Sequence, residues 1–359
     1  MNRRSMVMAG MRIAATTTST SALISPDLSS GKYPTHVAIG ATGAGAYIKV
    51  GNNFNAAATN SDLLIQPGDS IVLSVDMMQY VAAMAVSGAS TVSVASLSVG
   101  LWGNIADSVA AMFASGEQGV WYDPSNLSSM FQDSAGTIPV TAVGQPVGRI
   151  LDQSGRGNHA TQAAAASRPL LQQDAGGRYY LNFDGVDDSL ISASIDLTGT
   201  AQATMFSGIR KMTDTVGMVV ESSSVSDNNP GTFAYLTGNG GANTAFRLRG
   251  STVYAQQIFT TTAAPLSEVD TCSFDISQAT SATEIIIRSN GFLKSTATSA
   301  AAESGSGNFG NYPIYVAMRN GASLPFTGRI YSLILRGATS TAAQIAAGEA
   351  YVNSKTGAY

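Results

Sequence analysis

Residues 119–133 read Gly-Val-Trp-Tyr-Asp-Pro-Ser-Asn-Leu-Ser-Ser-Met-Phe-Gln-Asp, and two more blocks of the same character follow them. The second is Leu-Asp-Gln-Ser-Gly-Arg-Gly-Asn-His-Ala-Thr at 151–161, and the third is Leu-Asn-Phe-Asp-Gly-Val-Asp-Asp-Ser-Leu at 181–190. Each block joins a short run of apolar residues to a turn rich in Asp, Asn or Gly. This alternation is typical of short strands joined by tight turns.

In this order the three blocks resemble the opening strands of a concanavalin A-like, laminin-G-like jelly roll of the variety found in tailed-phage virion proteins. The resemblance covers about residues 117–355. It implies a β-sandwich that is sugar-binding or adhesive and that ends in a short helix. Thr341–Val352 fits that helix, because Thr341 and Gln344 form a capping-box pattern at its start.

The composition supports an all-β fold and excludes several classes of function. Of the 359 residues, 12% are charged, 44% are hydrophobic and 37 are glycine, which suits many short strands joined by small-residue turns. The net charge of −4 argues against a nucleic-acid partner, because such affinity comes largely from clustered Lys and Arg. The single cysteine, Cys272, excludes an intramolecular disulfide and is expected to be a buried strand residue.

The stretch from Met77 to Ala106 carries no charge and is long enough to cross a bilayer. However, Thr91–Val99 alternates polar and apolar residues with a period of two, which indicates a strand. No membrane span is therefore expected.

The chain is predicted to have four parts. Residues 1–31 are rich in Thr, Ser and Ala without sustained periodicity, so a flexible N-terminal arm is expected there. Residues 32–100 carry several strand candidates and predict a small β-sandwich or barrel that anchors the protein to a particle. This part loosely resembles small β domains of phage structural proteins, through its Ala46–Val50 strand and a Gln-Pro-Gly turn. Residues 101–118 predict a helical linker, and 119–355 the lectin-type domain.

The most suggestive catalytic string is Glu-Val-Asp-Thr-Cys-Ser, from Glu268 to Ser273. Some sandwiches of the superfamily are retaining glycosidases with a Glu-x-Asp-x-x-Glu strand, and retaining hydrolysis needs two carboxyl groups about 5 Å apart. Here Ser273 stands where the acid would be, and none of the six glutamates lies at a suitable spacing. The sequence therefore predicts a protein without enzymatic activity, with a glycoside hydrolase or its carbohydrate-binding module as an alternative.

Two interpretations of the polar turn at 152–159 stay open. Asp152 and Asn158, together with Asp184 and Asp187, would supply the oxygen ligands that calcium needs. Alternatively, the Asp and Asn side chains cap turns whose glycines adopt positive φ. No cofactor other than calcium is indicated.

Sugar recognition needs aromatic faces beside hydrogen-bonding side chains, because a pyranose has an apolar face ringed by hydroxyl groups. Loops in the second half of the chain supply such residues. The predicted glycan-binding rim consists of Asn239, Asn243, Asn308, Asn311 and Tyr312.

The resemblance implies a phage accessory protein at the virion surface, either a capsid decoration or a head fibre. Its partners would be other virion proteins of the capsid or tail, copies of itself, most simply in a trimer, and a cell-surface glycan. The lack of a heptad shaft or long fibrous repeat favours the capsid over the tail. A tail-fibre or baseplate receptor-binding protein is the alternative, and a structural cement protein that binds no sugar is another.

Overall fold

The computed structural model of the chain describes residues 11–15, 18, 20–23, 36–51, 57–67, 70–74, 80–97, 105–298 and 303–359. Over these residues the fold is all-β, with several sheets and a few helices, as the sequence predicts. The chain divides into two compact units. The first unit comprises Met1–Ser108 with Ala342–Ala350, and the second comprises Val109–Thr341 with Tyr351–Tyr359. No helix in the described ranges has the length and hydropathy that a membrane crossing requires.

The first unit contains eight described strands, and they include those expected from the period-two pattern of the sequence. They are β1 (Met11–Ala15), β2 (Thr20–Leu23), β3 (His36–Gly43), β4 (Ala46–Gly51), β5 (Leu63–Ile65), β6 (Ser70–Ser74), β7 (Tyr80–Ala85) and β8 (Ser90–Leu97). The uncharged stretch that is long enough for a membrane helix thus contains the strands β7 and β8.

The pairing of these strands is nested, because β1 pairs with β8, β2 with β7, β3 with β6 and β4 with β5, always antiparallel. Further pairs, β3 with β8 and β4 with β7, complete two four-stranded sheets of order β1-β8-β3-β6 and β2-β7-β4-β5. A long hairpin folded over in this way is an eight-stranded jelly roll. Buried residues come from both sheets and include Ile39 and Val92 on one and Ile48 and Ile65 on the other.

The flexible arm expected at 1–31 is wrong for the part of it that the structure describes. Met11–Ala15 pairs along its whole length with β8, and Thr20–Leu23 pairs with β7. Both segments lie at sheet edges, where backbone hydrogen bonds to one neighbouring strand hold them. Such pairing does not require a periodic side-chain pattern, so the sequence does not predict these strands. The small β domain therefore begins before residue 32.

Helix α1 (Ile105–Ala111) lies where the sequence predicts a helical linker. The second unit then provides, among its described residues, twenty strands and a short helix. They are β9 (Gly119–Tyr122), β10 (Met130–Phe131), β11 (Arg149–Ile150), β12 (Ala160–Thr161), β13 (Leu170–Gln173), β14 (Tyr179–Asp184), β15 (Leu190–Ser192), β16 (Ile195–Asp196), β17 (Gln202–Lys211), β18 (Gly217–Ser222), β19 (Thr232–Thr237), β20 (Asn243–Arg249), β21 (Tyr254–Thr260), β22 (Leu266–Asp275), helix α2 (Ser281–Glu284), β23 (Ile285–Ser289), β24 (Phe292–Leu293), β25 (Ala297–Thr298), β26 (Asn311–Tyr312), β27 (Ile314–Val316) and β28 (Thr327–Arg336). Helix α3 spans Ala342–Thr356.

Two large antiparallel sheets form a sandwich in the second unit. One has the order β10-β11-β12-β15-β27-β18-β19-β20-β21-β25, and the other has the order β13-β14-β28-β17-β22-β23-β24, with β9 also paired to β28. Phe233 on β19 stacks on Phe274 on β22 with ring centroids 5.2 Å apart, so the inner faces of the two sheets meet. Cys272 lies fully buried in this core, as predicted.

The Trp-Tyr-Asp motif of the first sequence block fastens the end of helix α3 to strand β9. The indole nitrogen of Trp121 donates a hydrogen bond to the Tyr351 hydroxyl at 3.2 Å, and that hydroxyl donates to the Asp123 carboxylate. Lys355 adds an ion pair to Asp123 at 3.2 Å. The end of the helix also lies over Gly208 of β17, where a Cβ atom would approach the Thr356 hydroxyl to 2.0 Å.

Deleting residues 2–25 should destabilise the first unit, because the deletion removes β1 and β2 and leaves β8 and β7 with unpaired edges. Hydrogen exchange followed by mass spectrometry should show lost protection in β7 and β8 but unchanged protection in β17 and β28. A shorter deletion that stops before Met11 keeps both strands and serves as the control. Unchanged protection of β7 and β8 after the longer deletion would contradict the strand pairing described here.

Candidate functional site

Asp152 and Asn158, two of the predicted calcium ligands, connect the polar turn at 152–159 to strand β9. Asp152 accepts hydrogen bonds from the backbone N–H groups of Trp121, Ser154 and Asn158 at 2.9–3.0 Å and from the Ser154 hydroxyl at 2.7 Å. The side chain of Asn158 donates to the carbonyl of Gly119 at 2.8 Å. Both oxygens of the carboxylate are therefore occupied by the chain, and the turn-capping interpretation applies to this loop.

The other two predicted ligands, Asp184 and Asp187, do lie together, and Asp188 joins them. The carboxylate oxygens of the three residues lie within 4.8 Å of one another. Burial, opposed by a backbone hydrogen bond and assisted by the two neighbouring charges, raises the pKa of Asp188 to about 6. However, Asp187 accepts a hydrogen bond from the Ser167 hydroxyl, and one ligand oxygen from each of the three residues falls short of the six to eight that calcium prefers. Calcium at this turn stays a prediction, without Asp152 and Asn158.

The predicted glycan-binding rim is not brought together as one surface. Asn239 lies in the turn that follows β19, and Asn243 begins β20. Asn308, Asn311 and Tyr312 lie near the start of β19, where Gly310 donates to the carbonyl of Gly231 at 2.9 Å. The six residues of β19 separate the two groups by about 20 Å at roughly 3.3 Å per residue. The adjacent Phe309 packs edge-on against Phe233 in the core. The five residues therefore lie in two separate groups, and glycan binding by either group stays a prediction.

The carboxyl groups of Glu268 and Asp270 lie inside the sandwich. They are two residues apart on β22, so both face inward, and they are 2% and 1% exposed. The Tyr235 hydroxyl donates to Asp270 at 2.5 Å, whereas one oxygen of each carboxyl has no hydrogen-bond partner. Ser273, at the motif's third position, is an odd number of residues from Glu268 and lies on the sheet's other face. A polysaccharide cannot reach this pair as the chain is folded.

The interior at this point contains both acidic and basic side chains. The ammonium group of Lys211, which is fully buried, donates to Asp214 at 2.9 Å and to the Thr261 hydroxyl at 2.5 Å. Burial raises the pKa of Glu268, and the nearby charge of Asp270 raises it further. Burial also raises the pKa of Asp270, against the hydrogen bond from Tyr235. Glu268 is therefore held as a neutral acid at neutral pH.

A pocket of about 290 Å³ opens on the outer face of the sheet that contains β28. Strands β28, β17 and β22 form its floor, the turn between β13 and β14 forms one wall, and the end of helix α3 forms another. Its polar side chains are those of Asp174, Arg178, Arg210, Ser267, Arg329, Tyr331 and Thr356. Three guanidinium groups thus converge on one concavity of a protein whose net charge is −4.

The strand register places the floor residues in one row. Arg329 on β28 lies opposite Arg210 on β17, and Arg210 lies opposite Ser267 on β22. The Arg210 guanidinium donates to the Ser267 hydroxyl at 3.0 Å, and that of Arg329 lies over the Tyr180 ring at 4.6 Å from its centroid. A β-bulge between Gly208 and Ile209 leaves Tyr331 without a directly paired residue on β17.

A carboxylate holds Arg178 at the wall of the pocket, and two glycines lie beside its guanidinium group. Asp174 accepts hydrogen bonds from the backbone N–H groups of Gly176 and Arg178 at 2.8 and 3.0 Å, from the Arg178 guanidinium at 3.4 Å and from the Tyr331 hydroxyl at 3.3 Å. Burial alone would raise the pKa of Asp174, but these interactions with Arg178 and Gly176 outweigh it and lower the pKa. A Cβ atom on Gly176 or Gly357 would come within 2.6 or 2.3 Å of the guanidinium as it is placed, and the positive φ of Gly357 (+61°) also favours glycine there.

None of the three arginines of the pocket is predicted from the sequence as a site residue. They are separated by 32 and 119 residues along the chain, so no motif joins them. One signal was available, since Arg210 follows Ile209 and Arg329 precedes Ile330. Strand alternation then places each arginine on the face opposite a core residue.

Comparison with known proteins gives similarities of structure at low sequence identity. No family model and no curated protein matches the chain. Among solved structures, the botulinum neurotoxin serotype G binding domain matches with a TM-score of 0.42 and 12% identity, over 57% of this chain and 49% of that one. The serotype D binding domain matches with a TM-score of 0.43 and 11% identity, over 66% of this chain and 52% of that one. A serotype D ligand binding domain in complex with N-acetylneuraminic acid matches with a TM-score of 0.40 and 14% identity, over 56% of this chain and 48% of that one.

This chain therefore spans about half the length of the solved chains it matches. TM-scores of this size carry no argument about function. The function has to be argued from the residues of this chain.

The buried carboxyl pair makes stability depend on pH in a defined direction. Because the pKa of Glu268 is raised in the folded state, its contribution is fully present below the ordinary glutamate value of 4.5 and is lost as the pH rises above it. We expect the melting temperature of the protein to fall from pH 5 to pH 9, and Glu268→Gln to make that fall shallower. Glu303→Gln, at an exposed carboxyl, is the matched control. Identical slopes for the wild type and Glu268→Gln would contradict the neutral buried acid.

Proposed function

We propose that the chain is a non-enzymatic accessory protein at the surface of a phage virion, a capsid decoration or head fibre, and that its second unit attaches the particle to a host-surface glycan. The arginine-lined pocket carries this proposal. It is a concave, polar site built from β-strands, a turn and a helix end, and it presents hydrogen-bond donors to the outside. The resemblance of the same unit to sugar-binding or adhesive sandwiches of phage virions supports the same function.

The first unit is suited to anchoring. Its eight described strands form a compact jelly roll, a fold used repeatedly in viral capsid proteins. A compact jelly roll favours a lattice partner on the capsid, whereas a tail fibre would need an extended shaft. A tail-fibre or baseplate receptor-binding role remains the alternative, in which the same unit docks on the tail.

The burial of the acidic pair supports a role without catalysis. A retaining glycosidase needs two carboxyl groups that both reach the scissile bond. Glu268 and Asp270 are instead enclosed in the core, and the side chain at position 273 is a serine on the opposite face of the sheet.

Attachment through this pocket is proposed to depend on several copies. A pocket of about 290 Å³ lies just below the range of roughly 300–1,000 Å³ for ligand sites, so each copy buries little of a glycan. Several sites on one oligomer, most simply a trimer, raise avidity by about 10²–10⁴ without any new contact.

The attachment proposal predicts that whole particles bind host-surface glycans more strongly than the separate full-length chain does. A glycan array probed with purified chain and with particles measures both, and particles that lack the protein are the control. Tight binding by the monomeric chain would remove the need for several copies. Failure of both the chain and the particles to bind any glycan would leave the structural cement role in its place.

The non-enzymatic proposal predicts that the protein releases no reducing ends from host capsular or lipopolysaccharide. A reducing-sugar assay over many hours measures this, with a known polysaccharide hydrolase as the positive control. Release that is abolished by Glu268→Gln would show that the buried carboxyl is catalytic and that this part of the proposal is wrong.

A further inference from the structure

The two floor arginines of the pocket carry charge that the protein itself does not compensate. Arg210 and Arg329 lie directly opposite each other on paired strands, an arrangement that destabilises a sheet when the charges are alike. Asp174, the carboxylate in the pocket, already holds Arg178 and accepts the Tyr331 hydroxyl. Among the described residues, no carboxylate forms an ion pair with Arg210 or Arg329. The free protein thus retains two unneutralised guanidinium groups at one spot.

Arg329 also has an unused donor. Its Nε atom is buried and has no hydrogen-bond partner within the described structure. The guanidinium lies over the Tyr180 ring, with its central carbon 4.6 Å from the ring centroid. Leaving a buried donor of a charged group without a partner is costly. An anionic ligand group in the pocket would oppose the like-charge repulsion between Arg329 and Arg210.

We propose that the pocket binds the carboxylate of an acidic sugar residue, such as a uronic acid, between Arg210 and Arg329. This inference rests on the proposed attachment function, and it names the ligand class of the same site. Guanidinium groups match planar carboxylates through paired N–H donors. The floor offers charge and donors but no open aromatic face, since Tyr180 is 6% exposed beneath Arg329. Affinity therefore comes from the anion and not from stacking on the sugar ring.

The wall residues explain why the site takes a sugar acid and not only a bare anion. Asp174 holds Arg178 at the mouth, and the glycines at 176 and 357 keep that space free of side chains. The Ser267 hydroxyl and the backbone of the turn between β13 and β14 are suited to the sugar's hydroxyl groups. A saccharide whose carboxylate lies on the floor would place its ring against this wall.

The test is calorimetric titration of the full-length chain at low ionic strength with glucuronate, glucuronamide, glucose, glucose 6-phosphate and inorganic phosphate. We expect glucuronate to bind, glucuronamide and glucose to bind at least about tenfold more weakly, and added salt to weaken the glucuronate signal. Arg210→Gln and Arg329→Gln should each weaken glucuronate binding by roughly tenfold or more. Lys49→Gln removes the same charge from the first unit and should change nothing.

Thermal unfolding of the same variants keeps a folding defect from being mistaken for lost binding. Because Arg210→Gln removes one of two like charges, its melting temperature should equal or exceed that of the wild type.

The inference is overturned if glucose and glucuronate bind equally, if the phosphate compounds alone bind, if no ligand binds, or if both arginine variants bind like the wild type. Particles that attach to neutral glycans alone would overturn it while the attachment function stands. Glucuronate binding by particles that attach to no cell would overturn the attachment function and leave the pocket's ligand in place.

Discussion

The register between β17 and β28 is the constraint on which both the core and the pocket depend. It places Ile209 opposite Ile330 on the inner face of the sheet. The next residue of β17, Arg210, then lies opposite the preceding residue of β28, Arg329, on the outer face. Since successive side chains of a strand point to opposite faces, a slip of one residue would exchange the two sets. Burial of the isoleucines therefore fixes the position of the arginines, and the cost of two like charges is offset by the core behind them.

Strands β17 and β22 carry polar or ionisable side chains on both faces of the sheet. On β17, Arg210 faces the pocket and Lys211 faces the interior; on β22, Ser267 faces the pocket and Glu268 the interior. Buried ionisable groups rarely add stability, because removing them from water costs more than their mutual attraction returns. The interior cluster limits the stability of this end of the sandwich at high pH. The pocket outside it is built on a rigid sheet, which suits a site that must hold a ligand in a defined orientation.

Much of the fold was predictable because it follows from local patterns. The period-two alternation of Thr91–Val99 is enough to predict β8, and the Trp121–Asp123 motif marks the strand that binds the last helix. The strands β1 and β2 were missed because an edge strand is stabilised by backbone pairing that leaves little trace in side-chain periodicity. The candidate site was missed for a different reason. Its three arginines come from one turn and two strands that are far apart in the sequence, and only the order of the strands in the sheet shows that they lie together. The loop asparagines were chosen for their residue type, and β19 separates them.

The most direct test of the account is a crystal structure of the full-length chain grown with glucuronate at a concentration that saturates the calorimetric signal. The account predicts density for the sugar on the outer face of the sheet, with its carboxylate between the guanidinium groups of Arg210 and Arg329. Its ring should lie against the wall formed by the turn between β13 and β14. An ordered sugar at the loops around Asn239 or Asn308, with the arginine pocket holding solvent alone, would contradict the central claim.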